Sequence, residues 1–355
     1  MSGGVDSSVA AALLKEQGYE VIGITMNLFS LPKEYCRPEK NMSCCGWGAA
    51  EDAHRVALTL EIPHYVADFR DVFEKKVIED FCEEYARGRT PNPCLRCNQF
   101  VKFDILLERA LKLNADYIAT GHHAKVEYES VSGRYLLKKG KDREKDQSYF
   151  LYPLTQEQLS RTLMPVGNYT KIEVRDIARE QDLPVAQRPE SQEICFIPDN
   201  DYSRFLRERI PDAFKPGPIV DVNNRLLGQH KGIVLYTIGQ RRGMGIAAPR
   251  PLYVISIDKS TNTIVVGSHE QLYKKKLIAD QINLISVEKM DEPLGVKARI
   301  RYKHREAQAI VKPLPSGSME VEFSNPQRAI TPGQSVVFYE GDVVVGGGII
   351  EKVKT

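Results

Sequence analysis

Ser2-Gly3-Gly4-Val5-Asp6-Ser7-Ser8 runs without interruption into VAAALLKEQG at residues 9–18, and this junction decides how the first half of the chain folds. Val9, Ala12 and Leu13 share one face of a helix expected from about Asp6 to Gln17. Two consecutive glycines let the backbone turn with its N–H groups pointing inward. The serine hydroxyls add donors and the helix amino terminus adds partial positive charge, a combination that cradles phosphate oxygens. The plainer alternative is a capped helix start, since Asp6 and Ser7 are good N-cap residues. The loop has no lysine of the G-x-x-x-x-G-K-[ST] kind.

Working outward, EVIGITM at 20–26 reads as a strand, and helices near 48–60 and 70–87 flank a further strand at HYVADF. A helix over about 98–112 then leads to DYIATG, a strand ending at a glycine, where open α/β sheets place their ligands. The alternation predicts an α/β domain with a doubly wound parallel sheet over residues 1–208. Beyond it, KPGPIVD, NNRLLG, TNTIVVG and NPQRAITPGQ are short β-type runs between Gly, Pro and Asn turns. They predict two small mainly β domains, 209–276 and 277–355. GMGIAA at 243–248 fits a dinucleotide fingerprint in letters only, because Pro249 follows and no helix does.

The 355 residues are 42% hydrophobic and 27% charged, enough to bury several cores, so disorder as the main state is excluded. Lys+Arg 49 against Asp+Glu 47 leaves a formal charge of +2, so a nucleic acid would be held by local patches rather than an overall field. GRYLLKKGKDREKDQ at 133–147 and KARIRYKHREAQ at 297–308 are such patches, although charge runs are commonly just solvated faces. The chain shows neither a basic-then-apolar leader nor a membrane-length apolar run, and it reads as cytosolic. Seven cysteines, Cys36, Cys44, Cys45, Cys82, Cys94, Cys97 and Cys195, point to catalysis or metal binding rather than a disulfide framework.

Thr90-Pro91-Asn92-Pro93-Cys94-Leu95-Arg96-Cys97-Asn98 places a Cys-x-x-Cys pair at the start of a helix. The helix dipole and Arg96 there favour thiolates, the form that acts as nucleophile or metal ligand. The bland alternatives are half of a zinc site, for which no second Cys-x-x-Cys exists, or two buried thiols. Ser191-Gln192-Glu193-Ile194-Cys195-Phe196-Ile197 carries one more cysteine, which taken alone is better explained as core.

The seven-residue loop resembles the PP-loop of ATP pyrophosphatases. It occurs in order with GRTPNP and CN (88–98), ATGHHA (119–124), KDQSYFLYPL (145–154), ICFI, LYTIGQRRGMGI (235–246), TPGQSVVFY (331–339) and GGGII (346–350). Over essentially its whole length the chain is similar to the tRNA-specific 2-thiouridylase family. That resemblance implies ATP cleavage to AMP and pyrophosphate, with Mg²⁺, and sulfur transfer to the wobble uridine of tRNA (Lys/Glu/Gln type). The uridine would be flipped out of its stack and its C2 oxygen adenylated.

Carried over by position, the resemblance implies that Cys97 is a nucleophile beside the base and Cys195 a persulfide carrier, the two closing a disulfide. Ser2, Gly3, Gly4, Val5, Asp6, Ser7 and Ser8 would hold ATP phosphates, with Asp6 a helper for Mg²⁺, and Met26 and Gly121 would line the nucleotide site. Asn92, Pro93, Cys94 and His122 fall at the target base, and Lys145, Asp146, Gln147, Arg301, Tyr302 and Gln334 at tRNA contacts. For the domain over 277–355 the same resemblance implies a β-barrel that contacts tRNA. A sulfur donor is implied: a cysteine desulfurase, a relay protein or free sulfide.

Two departures stand out. Many members carry Asp where this chain has Cys94, so Cys94, Cys97 and Cys195 together form a candidate ligand set for a 4Fe-4S cluster with an open iron. Persulfide chemistry on Cys97 and Cys195 is the alternative, and both stay open on sequence; Cys36, Cys44 and Cys45 read as local. The family also has a short apolar strand before the loop. The resemblance therefore implies a strand ahead of Met1, and a chain extended upstream by roughly ten residues, one short strand, is expected to bind ATP more tightly and melt higher. The rival functions are another PP-loop ligase acting on a small molecule, which needs neither Cys97 nor Cys195, and a non-catalytic tRNA-binding or metal-storage module.

Overall fold

The computed structural model describes residues 1–30, 47–189 and 194–354. Cys36, Cys44, Cys45 and the Ser191-Gln192-Glu193 part of the SQEICFI run lie outside these residues. The described residues group into two units, one of Met1–Ile78, Cys94–Asn200 and Asp342–Val344, the other of Glu79–Pro93, Asp201–Gly341 and Val345–Thr355. No helix among the described residues is long and apolar enough to cross a membrane.

The first unit opens with helix α1 (Val5–Glu16), strand β1 (Gly23–Asn27), helix α2 (Trp47–Thr59) and strand β2 (His64–Asp68). Val5, Val9, Ala12 and Leu13 of α1 are buried with Val56, Val166, Val174 and Val185, which makes the predicted apolar face of α1 a core face. β1 begins three residues later than expected, because its parallel pairing with β2 starts at Gly23 opposite His64. The helix expected over 70–87 is interrupted: α3 (Arg70–Phe73) passes through a π-helical turn at Glu74–Ile78 into α4 (Glu79–Ala86), the latter in the second unit.

The Cys-x-x-Cys segment is likewise helical earlier than expected. Pro93 starts a short helix α5 (Pro93–Arg96), as a proline with no N–H to satisfy can. The chain then widens into a π-helix from Cys97 to Ile105 and returns to α-geometry in α6 (Leu106–Lys112). Strand β3 keeps only Ile118–Ala119 of the DYIATG run; it is followed by an antiparallel hairpin of β4 (Ala124–Glu129) and β5 (Arg134–Lys139), which the α/β alternation had not suggested. Helix α7 (Gln156–Ser160), strand β6 (Thr162–Leu163) and helix α8 (Lys171–Glu180) complete the unit. The expected sheet appears among the described residues as two parallel pairs, β1 with β2 and β3 with β6. The far side of β1 meets the Met1 backbone: the Met1 amino group donates to Ile24 O and the Thr25 hydroxyl to Met1 O.

In the second unit α4 and α9 (Tyr202–Arg209) meet through Phe81 and Phe205 (centroids 6.2 Å apart) and Tyr85 and Tyr202 (5.8 Å). Strands β7 (Gly217–Asp221), β8 (Leu226–His230), β9 (Tyr253–Asp258) and β10 (Thr263–Gly267) form a four-stranded sheet in the order β8-β7-β10-β9, over a core of Ile219, Ile233, Tyr236, Val254, Ile264 and Val266. The last six strands are β11 (Tyr273–Leu284), β12 (Leu294–Arg299), β13 (Ala307–Pro313), β14 (Met319–Arg328), β15 (Ser335–Glu340) and β16 (Val343–Lys354). They run in the order β11-β14-β13-β12-β15-β16, and pairing of β11 with β16 closes them into a barrel. Alternation decides which residues fill it: Met319, Val321 and Phe323 point inward while Glu320 and Glu322 between them pair with lysines.

Candidate active site

Around α1 the first unit builds a charged, tightly packed loop. Gly3 takes a φ of +69°, in the left-handed region, and a side chain there would bring a Cβ within 2.4 Å of Ala49 O. Gly4, at φ −94° and ψ 159°, is the N-cap and has no side chain to close it, so the capped-start alternative through Asp6 or Ser7 does not describe this turn. Instead the Ser7 and Ser8 hydroxyls each donate to Gly4 O at 3.0 Å, and Ser2 N donates to Ser7 Oγ at 3.1 Å. The serines thus set the shape of the loop, and by helix geometry the first-turn N–H groups of α1 have no acceptor within the helix.

Gly121, just past β3, lies against this turn: a Cβ on it would stand 2.5 Å from Asp6 C and 2.6 Å from Ser7 N. A glycine is therefore required at the strand end that sequence had marked for the ligand. Met26, half-buried, sits near the end of β1 opposite Ala67 of β2.

Asp6 is the electrostatic centre. Its carboxylate accepts from Lys171 Nζ at 2.6 and 2.7 Å and from His123 Nε2 at 3.3 Å. Burial pushes the Asp6 carboxyl up, but the His123 hydrogen bond and the Lys171 charge outweigh it and hold it below its ordinary value. The other ring nitrogen of His123, Nδ1, is buried without a partner. His122 beside it is buried, bonded through Nδ1 to the Thr120 hydroxyl at 2.8 Å, with its ring 5.7 Å from that of Phe103 on the π-helix. Burial, then the nearby Lys102 charge, push the His122 pKa well below the ordinary value, so the ring is neutral.

The loop of Lys145, Asp146 and Gln147 is tied to the same place. Gln147 Oε1 accepts from His123 N at 2.9 Å. Asp146 is buried, and its carboxylate accepts from Gly140 N, Ser148 N and the Ser148 hydroxyl, so this side chain shapes the loop from inside. Asp142 accepts from Lys145 N and from Lys171 N, connecting the loop to the start of α8. None of Lys171, His123 and Arg188 was singled out on sequence. Arg188 donates to Gly3 O at 2.8 Å and pairs with Asp52, propping the loop from behind. Their contacts cross more than a hundred residues of chain, a range local patterns do not report.

The thiols differ in setting. Cys94 is exposed, Cys97 is buried as the first residue of the π-helix, and Cys195 is half-buried; none is in a disulfide. Phe196 packs edge-on against Phe73 of α3 at 5.7 Å, and α3 packs against the Cys97 π-helix, which draws the Cys195 and Cys97 segments into one neighbourhood. Beside Cys97, the Asn98 amide donates to Phe150 O at 3.2 Å while its Oδ1 is buried without a partner. The convergence of Cys94, Cys97 and Cys195 that a 4Fe-4S cluster requires is not formed: among the described residues no three His, Cys, Asp or Glu side chains are placed to hold a metal ion.

The first unit therefore collects Ser2 to Ser8, Met26, Cys94, Cys97, Gly121, His122, Lys145 to Gln147 and Cys195. Asn92, Pro93, Arg301, Tyr302 and Gln334 belong to the second. There Gln334 Nε2 donates to Thr90 O at 2.8 Å, holding the backbone ahead of Asn92. Arg301 and Tyr302 lie half-buried in the turn after β12, which the Arg299–Glu306 ion pair closes at 2.7 Å.

Three domain families match the chain. They are described as a tRNA methyl transferase HUP domain over residues 1–199, a tRNA methyl transferase PRC-barrel domain over 203–268 and an aminomethyltransferase beta-barrel domain over 274–350. A protein of Acetivibrio thermocellus named tRNA-specific 2-thiouridylase MnmA is 54% identical, covering 99% of this chain and 98% of its own. Another of that name, MnmA 1 of Caldanaerobacter subterraneus subsp. tengcongensis, is 55% identical, covering 99% and 96%. Among solved structures, the U34-tRNA thiolase NcsA of Methanococcus maripaludis with its 4Fe-4S cluster covers 59% of this chain and 65% of its own at 18% identity and a TM-score of 0.33, too distant to carry anything about ligands here.

Proposed function

The chain belongs to the tRNA-specific 2-thiouridylase family, and on that premise we propose that it makes 2-thiouridine at the wobble position of Lys, Glu and Gln type tRNAs in the cytosol, forming AMP and pyrophosphate. The domain descriptions speak of methyl transfer and the relatives' names of thiolation. A methyl donor needs no phosphate cradle, whereas the Gly3–Gly4 turn, the Gly121 approach and the Asp6 cluster form one in the unit that also holds Cys97 and Cys195. That coexistence carries the reading. It also disfavours a small-molecule PP-loop ligase, which has no use for the two thiols.

ATP phosphates lie on the first-turn amides of α1, with the base between Met26 and Gly121. Mg²⁺, when bound with the nucleotide, would neutralise charge on the phosphates. Without ATP, Asp6 is held by Lys171 and His123. Attack of the uridine C2 oxygen on the α-phosphate forms the C2–O–AMP bond and expels pyrophosphate, turning a poor leaving group into AMP. A persulfide on Cys195, formed when its thiolate takes the outer sulfur from the persulfide of a cysteine desulfurase or relay protein and releases that donor's thiolate, attacks C2 and displaces AMP. Cys97 thiolate then attacks the Cys195 sulfur, forming the Cys97–Cys195 disulfide and leaving C2=S on the base. A thiol reductant supplies two electrons to restore both thiols. Neutral His122 and residues 92–94 lie at the base, and Lys145, Gln147, Arg301, Tyr302 and Gln334 at the tRNA, on domains 1–208, 209–276 and 277–355.

Incubation with unmodified tRNA, ATP and a persulfide-loading system, followed by nucleoside mass analysis, is expected to show 2-thiouridine from the wild type and none from Cys97→Ser. Full product from Cys97→Ser, or none from the wild type with or without oxygen, refutes the proposal.

A further inference from the structure

The phosphate loop contains no cation of its own between Ser2 and Ser8. A helix amino terminus supplies only about half a unit charge, little against the several negative charges of a triphosphate. Lys171 is the ammonium that reaches the turn, at 2.6 and 2.7 Å from the Asp6 carboxylate, with its side chain only 10% exposed.

Its placement runs against local preference. Lys171 opens α8 immediately after the Thr170 N-cap, in a turn closed by a Thr170–Glu173 capping box. That end of a helix favours acids and disfavours a lysine. The Lys171–Asp6 pair is also a poor device for stability, because desolvating two charges offsets most of their attraction and apolar residues of similar volume serve a core as well. The other cation at the loop, Arg188, is committed to Gly3 O and Asp52. Beside the pair, His123 Nδ1 is buried with no partner, a polar atom left for something the protein itself does not supply.

Resting on the ATP-pyrophosphatase reading above, we propose that Lys171 is the phosphate-binding cation of this loop: on ATP binding its ammonium turns from Asp6 to the phosphates and neutralises the departing pyrophosphate. His123 keeps its hydrogen bond to Asp6 during the exchange, so the carboxylate retains a partner. The lysine that other phosphate loops carry within the loop is supplied here from a helix 165 residues away in sequence.

Calorimetric binding of pyrophosphate and of adenosine, in EDTA so that no metal takes part, tests this on the wild type, Lys171→Met, Asp6→Asn and the double variant. Lys171→Met is expected to weaken pyrophosphate about tenfold or more, as loss of a charge-assisted hydrogen bond does, with adenosine unchanged. The double variant, which strands no carboxylate, is expected to stay weak relative to Asp6→Asn. Wild-type pyrophosphate affinity in the double variant overturns the proposal, since Lys171 would then serve only to neutralise Asp6. Equal weakening of adenosine overturns it too. A wild type that releases AMP with tRNA yet shows no pyrophosphate binding overturns the Lys171 role alone, whereas one that does neither overturns the ATP-pyrophosphatase reading with it.

Discussion

The phosphate loop and the thiol segments, both in the first unit, are built on opposite plans. At the loop the geometry is set in advance: Gly3 and Gly121 permit backbone approaches that a Cβ would block, the serine hydroxyls lock the turn, and Asp6 is held by two partners from distant elements. The thiols instead span the range from exposed Cys94 to buried Cys97, on a helix that changes pitch at Cys97. Charge stabilisation works when donors need no rearrangement at the moment of reaction. The proposed sulfur transfer requires two sulfurs and a flipped base to meet in sequence. Damage to the two regions should therefore separate cleanly into ATP binding and product formation.

The largest expected effect is at the thiols. Cys195→Ser should reduce 2-thiouridine to background in the mass assay while ATP affinity, measured by calorimetry, stays at the wild-type value; loss of both would erase the separation. Next comes Gly121→Ala, whose Cβ meets the Asp6 backbone at 2.5 Å. It should weaken ATP by about tenfold or more, within the range of a single backbone-strain substitution, without preventing persulfide formation on Cys195 seen by intact-protein mass measurement.

The smallest effect concerns His122 and sharpens the comparison from the side of stability. Its pKa is depressed in the folded protein, so below its ordinary value of 6.5 the unfolded chain takes up a proton that the folded one does not. The stabilisation is present above that pH and is lost progressively as pH falls below it. His122→Asn should flatten this part of the denaturation-midpoint profile between pH 7 and pH 5, a range bracketing the 6.5 value. An unchanged slope would show that the acid sensitivity arises elsewhere.

Much of this protein is legible from local patterns. The face of α1 formed by Val9, Ala12 and Leu13 is the buried face, and Met319, Val321 and Phe323 alternate into the barrel as a period of two requires. The parallel strands were less legible. DYIATG contributes only Ile118–Ala119, because a strand extends only as far as its partner, here Thr162–Leu163. The π-helical turns at Glu74–Ile78 and Cys97–Ile105 have no signature in hydrophobic period, which does not distinguish one extra residue per turn over so short a stretch.

The site divides the same way. Sequence by itself determined the glycine-serine turn before a helix, the strand-end Gly121, the Cys94–Cys97 pair and the separate Cys195, because each is a property of neighbouring residues. Folding in three dimensions is what gives Asp6 to Lys171 and His123, sets Arg188 behind Gly3, spends Asp146 inside its own loop and leaves no three-cysteine metal group among the described residues. Those outcomes depend on distance and burial, which set the strength of every charge and hydrogen bond, and neither is written in the spacing of residues along the chain.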